Sequence, residues 1–183
     1  MQRTISAMVG KGSVNHNSRK FRAENVDGTR THLNIDYCNE NIKTVYHELF
    51  DEALERYNAK QIRSDRKIKD YYEKIRSSKQ EKPFHEIILQ VGGKGNMNAD
   101  TENGELAKQI LDEYYQGFQE RNPQLRVFSA HLHMDEATPH LHIDFVPYVT
   151  GWKGKGMDTR VSLKQALKSL GFEGGNKHDT ELN

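Results

Sequence analysis

The stretch HLHMDEATPHLHIDF, His131–Phe145, constrains this chain more than any other. It carries four of the nine histidines, set in two alternating runs with a turn signal between them. Side chains alternate across a strand, so residues two apart share a face. His131 and His133 therefore lie on one face of one strand, and His140 and His142 on one face of the next. If MDEATP turns the chain back, His133 and His140 become near cross-strand neighbours. Pro139 falls at a strand start, where a missing N–H is tolerated. Leu132, Leu141, Ile143 and Phe145 take the opposite face. A chain with this stretch is expected to build a hairpin with one packed face and one face lined by imidazoles.

Neutral imidazole is the commonest protein ligand for transition metals. Three histidines without a thiolate leave coordination positions open, which is the pattern of a catalytic site; structural zinc sites usually close with cysteine. The competing reading is a polar, solvent-facing strand surface. Asp135 and Glu136, in the turn, either hold a ligand imidazole by its other nitrogen or are plain turn residues.

The rest of the chain supplies an α+β frame. Arg3–Val9 and THLNIDY (Thr31–Tyr37) read as short strands, the latter with Leu33 and Ile35 on one face and His32, Asn34 and Asp36 on the other. Between them GKGSVNHNSRK reads as a loop. Apolar spacing predicts helices over Thr44–Ala59, with Thr44 as a cap, over Ser64–Arg76, over Gly104–Glu120 and over Ser162–Leu170, the last stopped by Gly171. FHEIILQVG, LRVFSAHLHM and HLHIDFVPYV read as strands. Strands and helices do not alternate as in a doubly wound sheet, so an antiparallel sheet covered by helices is expected. The Gly-Lys pairs in GKGSVN and GGKGNM lack phosphate-loop spacing.

Composition narrows the function classes. Only 34% of the 183 residues are apolar, and no run approaches the ~20 residues of a membrane span. The lone Cys38 forms no internal disulfide, and no secretory signal is visible, so a cytoplasmic protein is the default. The net charge of +1 hides an uneven distribution. Lys11–Arg30 holds five basic and two acidic residues, Lys60–Lys82 nine and four, and Lys153–Lys177 six and two. Asp100–Arg121 reverses this, with six acidic residues against two basic. Such basic runs suit a polyanion bound on one side. Alone, they more often describe ordinary solvated surface.

HMDEATPHLH (His133–His142) resembles the HxDExTPHxH signature of the MobV-type plasmid mobilisation relaxases, the Pre/Mob proteins. NHNSRKF (Asn15–Phe21) resembles their HNxR motif. HLNIDY (His32–Tyr37) resembles their HLNxE motif, with Asp36 where the family often has glutamate. The three motifs fall in family order, and the likeness runs from about Arg3 to Leu170.

The resemblance implies an HUH endonuclease fold, a central antiparallel sheet with metal-binding histidines on one face, with residues 1–183 forming one nicking domain. Because the chain stops at DTELN without a closing element, that domain is expected to be the N-terminal part of a longer protein. A relaxase nicks one strand at a transfer origin, stays joined to the 5′ end and later reseals it. The family's metal triad maps onto His133, His140 and His142, its divalent ion being Mn²⁺ or Mg²⁺. Its proposed histidine nucleophile maps onto His16 and its motif arginine onto Arg19, whose guanidinium fork is expected on the scissile phosphate. Glu136 joins them as a catalytic candidate. Single-stranded or supercoiled origin DNA is the expected partner, together with other mobilisation proteins. Asn17, Arg19, Lys20, Arg22, Asn34, Lys153 and Lys155 are the DNA-contact candidates. His131 stands outside the signature. Three alternatives stay open: a tyrosine nucleophile (Tyr37 or Tyr46), a non-covalent metallohydrolase, and a non-catalytic DNA-binding repressor.

Overall fold

The computed structural model describes residues 4–93 and 95–172. Arg3, Lys177 and the DTELN end lie outside them. The described residues gather into two compact units. The first takes the chain up to Glu40, then Phe84–Arg121 and Val127–Phe145; the second takes Asn41–Pro83, Asn122–Arg126 and the chain from Val146. No described helix is long and apolar enough to cross a membrane.

The first unit is built on an antiparallel sheet. Its strands are β1 (Ile5–Val9), β2 (Ile35–Asn39), β3 (His85–Val91) and most of β4 (Leu125–His133) and β5 (His140–Val149), whose outer ends, Leu125–Arg126 and Val146–Val149, belong to the second unit. Their spatial order is β1-β3-β5-β4-β2. Residues 134–139 join β4 to β5, so the expected hairpin forms, with Pro139 just before β5. Register decides what the sheet presents. Gln90, Ile88 and Glu86 of β3 stand opposite His140, His142 and Asp144 of β5. Ile87 and Leu89 stand opposite Ile143 and Leu141. One face is therefore apolar, with Phe128, Ala130, Leu132, Leu141, Ile143 and Phe145 buried along it. The other carries Ser129, His131, His133, His142, Asp144 and Glu86, and these are buried as well. Buried polar groups need partners, and that requirement shapes the site.

A one-turn helix, α1 (Val14–Asn17), stands where a plain loop was expected. The strand expected over Thr31–Tyr37 begins only at Ile35, after a 3₁₀ turn at Thr31–Leu33. Asn34 breaks the alternation there, because its side chain is drawn to the β4–β5 turn, accepting from the Met134 N–H and donating to Asp135. The acidic helix starts at Glu102 under a Thr101 cap and ends at Gln116; the Gly117 break separates it from Phe118–Arg121. These two segments are α4 and α5 in chain order. Gly104 lets α4 approach the Asn98–Ala99 backbone, which a Cβ would strike.

In the second unit α2 (Ile42–Ala59) buries Val45, Tyr46, Phe50 and Ala53. Asn41, not Thr44, caps it by accepting from the Lys43 N–H. The helix expected from Ser64 begins only at α3 (Tyr71–Arg76). The Asn58 side chain accepts from the Ile68 N–H and donates to its carbonyl, which keeps both groups out of a helical ladder. A two-residue strand, β6 (Arg160–Val161), pairs with Tyr148 and Val149 of β5. Ser162 then caps α6 (Leu163–Ser169), and Gly171 follows at φ +90°.

Candidate active site

The three hairpin histidines meet as the alternation predicts. The His133 ring lies 5.2 Å from the His140 ring and 4.8 Å from that of His142, and His140 and His142 are 5.0 Å apart. One nitrogen from each lies within 4.8 Å of the others.

The remaining nitrogens settle which atoms are free. The Nε2–H of His133 donates to the Asn17 carbonyl at 2.8 Å. The Nδ1–H of His140 donates to the Thr138 carbonyl at 2.8 Å. The Nδ1–H of His142 donates to the Glu86 carboxylate at 2.7 Å. These partners only accept, so each ring carries its hydrogen on that side. The lone pairs left over, on His133 Nδ1, His140 Nε2 and His142 Nε2, point inward. His142 Nε2 is buried without a protein partner, and His133 Nδ1 and His140 Nε2 face each other at 3.4 Å. Two lone pairs at that distance repel unless a cation lies beside them. Burial pushes His133 down to about 2, reinforced by its imidazole neighbours and Arg19. Burial lowers His140 as well. Both rings are neutral near pH 7, as metal ligands must be. The donor set therefore fits a divalent ion.

Glu136 joins the cluster from the turn. Its Oε1 lies 3.6 Å from His16 Nε2, 3.7 Å from His140 Nε2 and 3.9 Å from His133 Nδ1. His16 rides on α1, with its ring edge-on to His133 at 6.3 Å between centroids. His16, Glu136, His140 and His142 line one cleft of about 360 Å³ with Met8 and Ile88. The side chain of His16 is 22% exposed against 1% for His133, so His16 is reachable from the cleft.

Arg19 departs from expectation. Its fork is filled from within: Nε and Nη2 donate to the two oxygens of Asp135, and Nη2 also reaches Glu136 Oε1 at 2.9 Å. Nη1 bonds the His16 carbonyl at 3.2 Å. With two carboxylates on it and 9% of its side chain exposed, the guanidinium locks the His16 turn onto the β4–β5 turn. Asp135 holds no imidazole; it gathers Arg19, Thr31 and Asn34. Burial alone would raise its carboxyl, but those hydrogen bonds outweigh it and hold it at about 2.

The other DNA-contact candidates divide. Lys20 and Arg22 are exposed in the first unit, and Lys153 and Lys155 are exposed in the second. Asn17 is only 1% exposed and is a buried anchor. Asn34 fastens the Met134–Asp135 turn. His131 donates from Nδ1 to Asp36 at 2.6 Å and stays outside the triad. Neither tyrosine offers a free hydroxyl: Tyr37 donates to Asp112 at 2.6 Å and Tyr46 to the Pro83 carbonyl at 2.7 Å.

Sequence reading missed Glu86 and Asp144. Both are acids in apolar strand runs, FHEIILQVG and HLHIDFVPYV, and that misfit is the signal that could have found them. Burial, then the Glu86 charge, raises Asp144 to about 6.

Three histidines converging on the buried polar face of an antiparallel sheet, with a further histidine on an adjoining turn, form a donor set that could hold a divalent ion. Residues 12–171 match the family described as plasmid recombination enzyme, Mob/Pre, and the chain belongs to that family. The type 3 plasmid recombination enzyme of Staphylococcus aureus is 28% identical over 158 residues, covering 84% of this chain and 32% of that protein. The type 2 enzyme of S. aureus strain N315 is 27% identical over 184 residues, covering 94% and 40%. A plasmid recombination enzyme of Streptococcus agalactiae is 24% identical, covering 93% and 32%. The chain thus spans 32–40% of the length of these relatives. Among solved structures, the MobM relaxase domain (MOBV; Mob_Pre), Mn-bound and in complex with pMV158 oriT DNA, shares the fold at a TM-score of 0.50 and 20% identity, covering 96% of this chain and 95% of that one.

Proposed function

We propose that this chain is the nicking and closing domain of a metal-dependent, strand-specific DNA relaxase that acts at a plasmid transfer origin. The observation that carries this reading is the placement of His16, one carboxylate away from the three converging lone pairs. His133, His140 and His142 would hold a divalent ion, with Glu136 at its rim; three nitrogens and one carboxylate suit Mn²⁺ better than the oxygen-seeking Mg²⁺. Bound there, the ion supplies Lewis-acid charge neutralisation on a phosphate oxygen.

The chain's own residues do the rest. A neutral imidazole nitrogen of His16 attacks the scissile phosphorus; the N–P bond forms as the bond to the 3′ oxygen breaks. The 3′ oxygen takes a proton from solvent, and the 5′ phosphate stays on His16. The ring's other nitrogen keeps its proton, so positive charge develops beside Glu136, which offsets it. Arg19 does not clamp the phosphate in this scheme. It holds the His16 turn, so that the ring is placed before DNA arrives. Closing is the reverse: a 3′ hydroxyl attacks phosphorus and His16 leaves. Lys20, Arg22, Lys153 and Lys155 offer exposed charge for the DNA backbone.

Incubation with Mn²⁺ and supercoiled plasmid carrying a candidate origin should give a relaxed product with protein attached. Mass spectrometry should find the nucleotide on His16. An adduct on Tyr37 or Tyr46, or relaxation without any adduct, would overturn the His16 assignment.

A further inference from the structure

We infer that Glu86 and Asn17, neither of them a ligand candidate, are positioning residues that fix which nitrogens of His142 and His133 face the metal. The inference rests on the metal reading above.

Glu86 lies on the central strand β3 and is 4% exposed. Three donors converge on its carboxylate. Oε1 accepts from His142 Nδ1 at 2.7 Å and from Asn17 Nδ2 at 2.7 Å, and Oε2 accepts from the Gly12 N–H at 2.6 Å. An ionised carboxylate only accepts. It therefore fixes the hydrogen of His142 on Nδ1 and leaves Nε2 as the free lone pair.

Asn17 performs the same office for His133 with its backbone. Its carbonyl accepts the Nε2–H, so Nδ1 turns to the metal position. Its side-chain amide meanwhile donates to Glu86 and, at 3.3 Å, to Asp144, which keeps those two carboxyls apart. One buried residue thus touches the anchors of two ligand histidines and sits next to His16 in the chain. The Gly-Lys-Gly segment, which has no phosphate-loop spacing, finds its use here. A Cβ at Gly10 would fall on the Glu86 carboxylate, and Gly12 sits at φ +72° against the Phe84 ring. The segment is a cradle for Glu86.

Glutamine in place of Glu86 keeps the shape but turns one acceptor oxygen into a donor. At least one of the three donors then meets an N–H. Carboxylates that orient ligand histidines typically govern metal affinity ten- to a hundredfold. Two measurements on the full chain test this. Nitrogen-15 NMR of the metal-free protein should show His142 as the Nδ1–H tautomer and His133 as the Nε2–H tautomer. Glu86→Gln should shift His142 toward Nε2–H and weaken Mn²⁺ binding, followed by electron paramagnetic resonance, about ten- to a hundredfold. Asn17→Ala, which keeps its carbonyl, should lose less affinity. A wild-type His142 found as Nε2–H overturns the inference whether or not any variant folds. So does a folded Glu86→Gln that binds Mn²⁺ like the wild type. Failure of the wild type to bind Mn²⁺ at all would instead overturn the metal reading, and this one with it.

Discussion

Two buried clusters of rings in this chain differ in what they leave unused. In the second unit Tyr46, Phe50, Tyr71 and Tyr72 pack edge to face, with Tyr46 5.1 Å from both Phe50 and Tyr72 and Phe50 4.9 Å from Tyr71. Two of their hydroxyls are engaged within the protein: Tyr46 donates to the Pro83 carbonyl, and the Tyr71 oxygen accepts from the Val161 N–H. In the first unit His133, His140 and His142 pack as closely, yet each keeps one nitrogen lone pair aimed at the same point. Aromatic density does not mark the reactive region. Single unpaired atoms do not either, since His131 Nε2 is buried without a partner too; what sets the triad apart is three lone pairs converging within 4.8 Å.

The largest test of that contrast removes a lone pair. His133→Ala, His140→Ala or His142→Ala should each abolish nicking and lower Mn²⁺ affinity beyond calorimetric detection, whereas His131→Ala should keep both. Retention of metal by His133→Ala together with its loss in His131→Ala would break the assignment.

His16→Ala should eliminate the covalent adduct while changing Mn²⁺ affinity by no more than about twofold, since its ring is not in the donor set. Gel assays for adduct and titration for metal separate the two effects.

Asp135→Asn probes the lock on the His16 turn. Breaking one partner of a buried ion pair costs on the order of 3 kcal/mol, readable as a drop in the urea midpoint. The pH dependence has a definite sign. The carboxyl sits at about 2 in the fold against its usual 3.8. Its contribution is complete above about pH 4 and is lost as pH falls from there toward 2. Asp135→Asn should flatten the stability profile in that window.

Smaller effects come from the aromatic cluster and the surface. Tyr46→Phe should cost about 1 kcal/mol for its missing hydrogen bond and leave nicking intact; disappearance of the adduct would reinstate a tyrosine nucleophile. Removing Lys153 or Lys155 should lower the salt slope of single-stranded DNA binding by about 0.7 for each phosphate no longer neutralised. An unchanged slope in the double variant would take that loop out of the interface.

The hairpin was legible in the sequence because alternation is local: His133, Leu132, His140 and Leu141 fall on the faces their spacing assigns. The anchors were not. Glu86 lies 56 residues from His142, and nothing in FHEIILQVG says which strand will lie beside it. Asn17 looked like a surface residue in a polar loop, and only the β3–β5 register turns it inward. Short-range competition hid other elements: Asn58 diverts Ile68 from a helix, and Asn41 takes the cap that Thr44 also suits. The partners that fill the Arg19 fork, Asp135 and Glu136, are equally out of reach of sequence reading, lying 116 and 117 residues away.

Arg19 is also the sole described residue other than glycine with a positive φ, at 55°. That left-handed backbone costs an arginine roughly 1–2 kcal/mol. The partners that hold it there lie 116 and 117 residues away. Local backbone bonds such as Arg19 N–H to the His16 carbonyl shape the turn, but the side-chain partners that offset the arginine's backbone cost come only from the paired β4–β5 hairpin. A chain whose hairpin is damaged therefore loses the remote carboxylates that fasten the His16 turn, even though His16 itself lies far from the lesion in sequence.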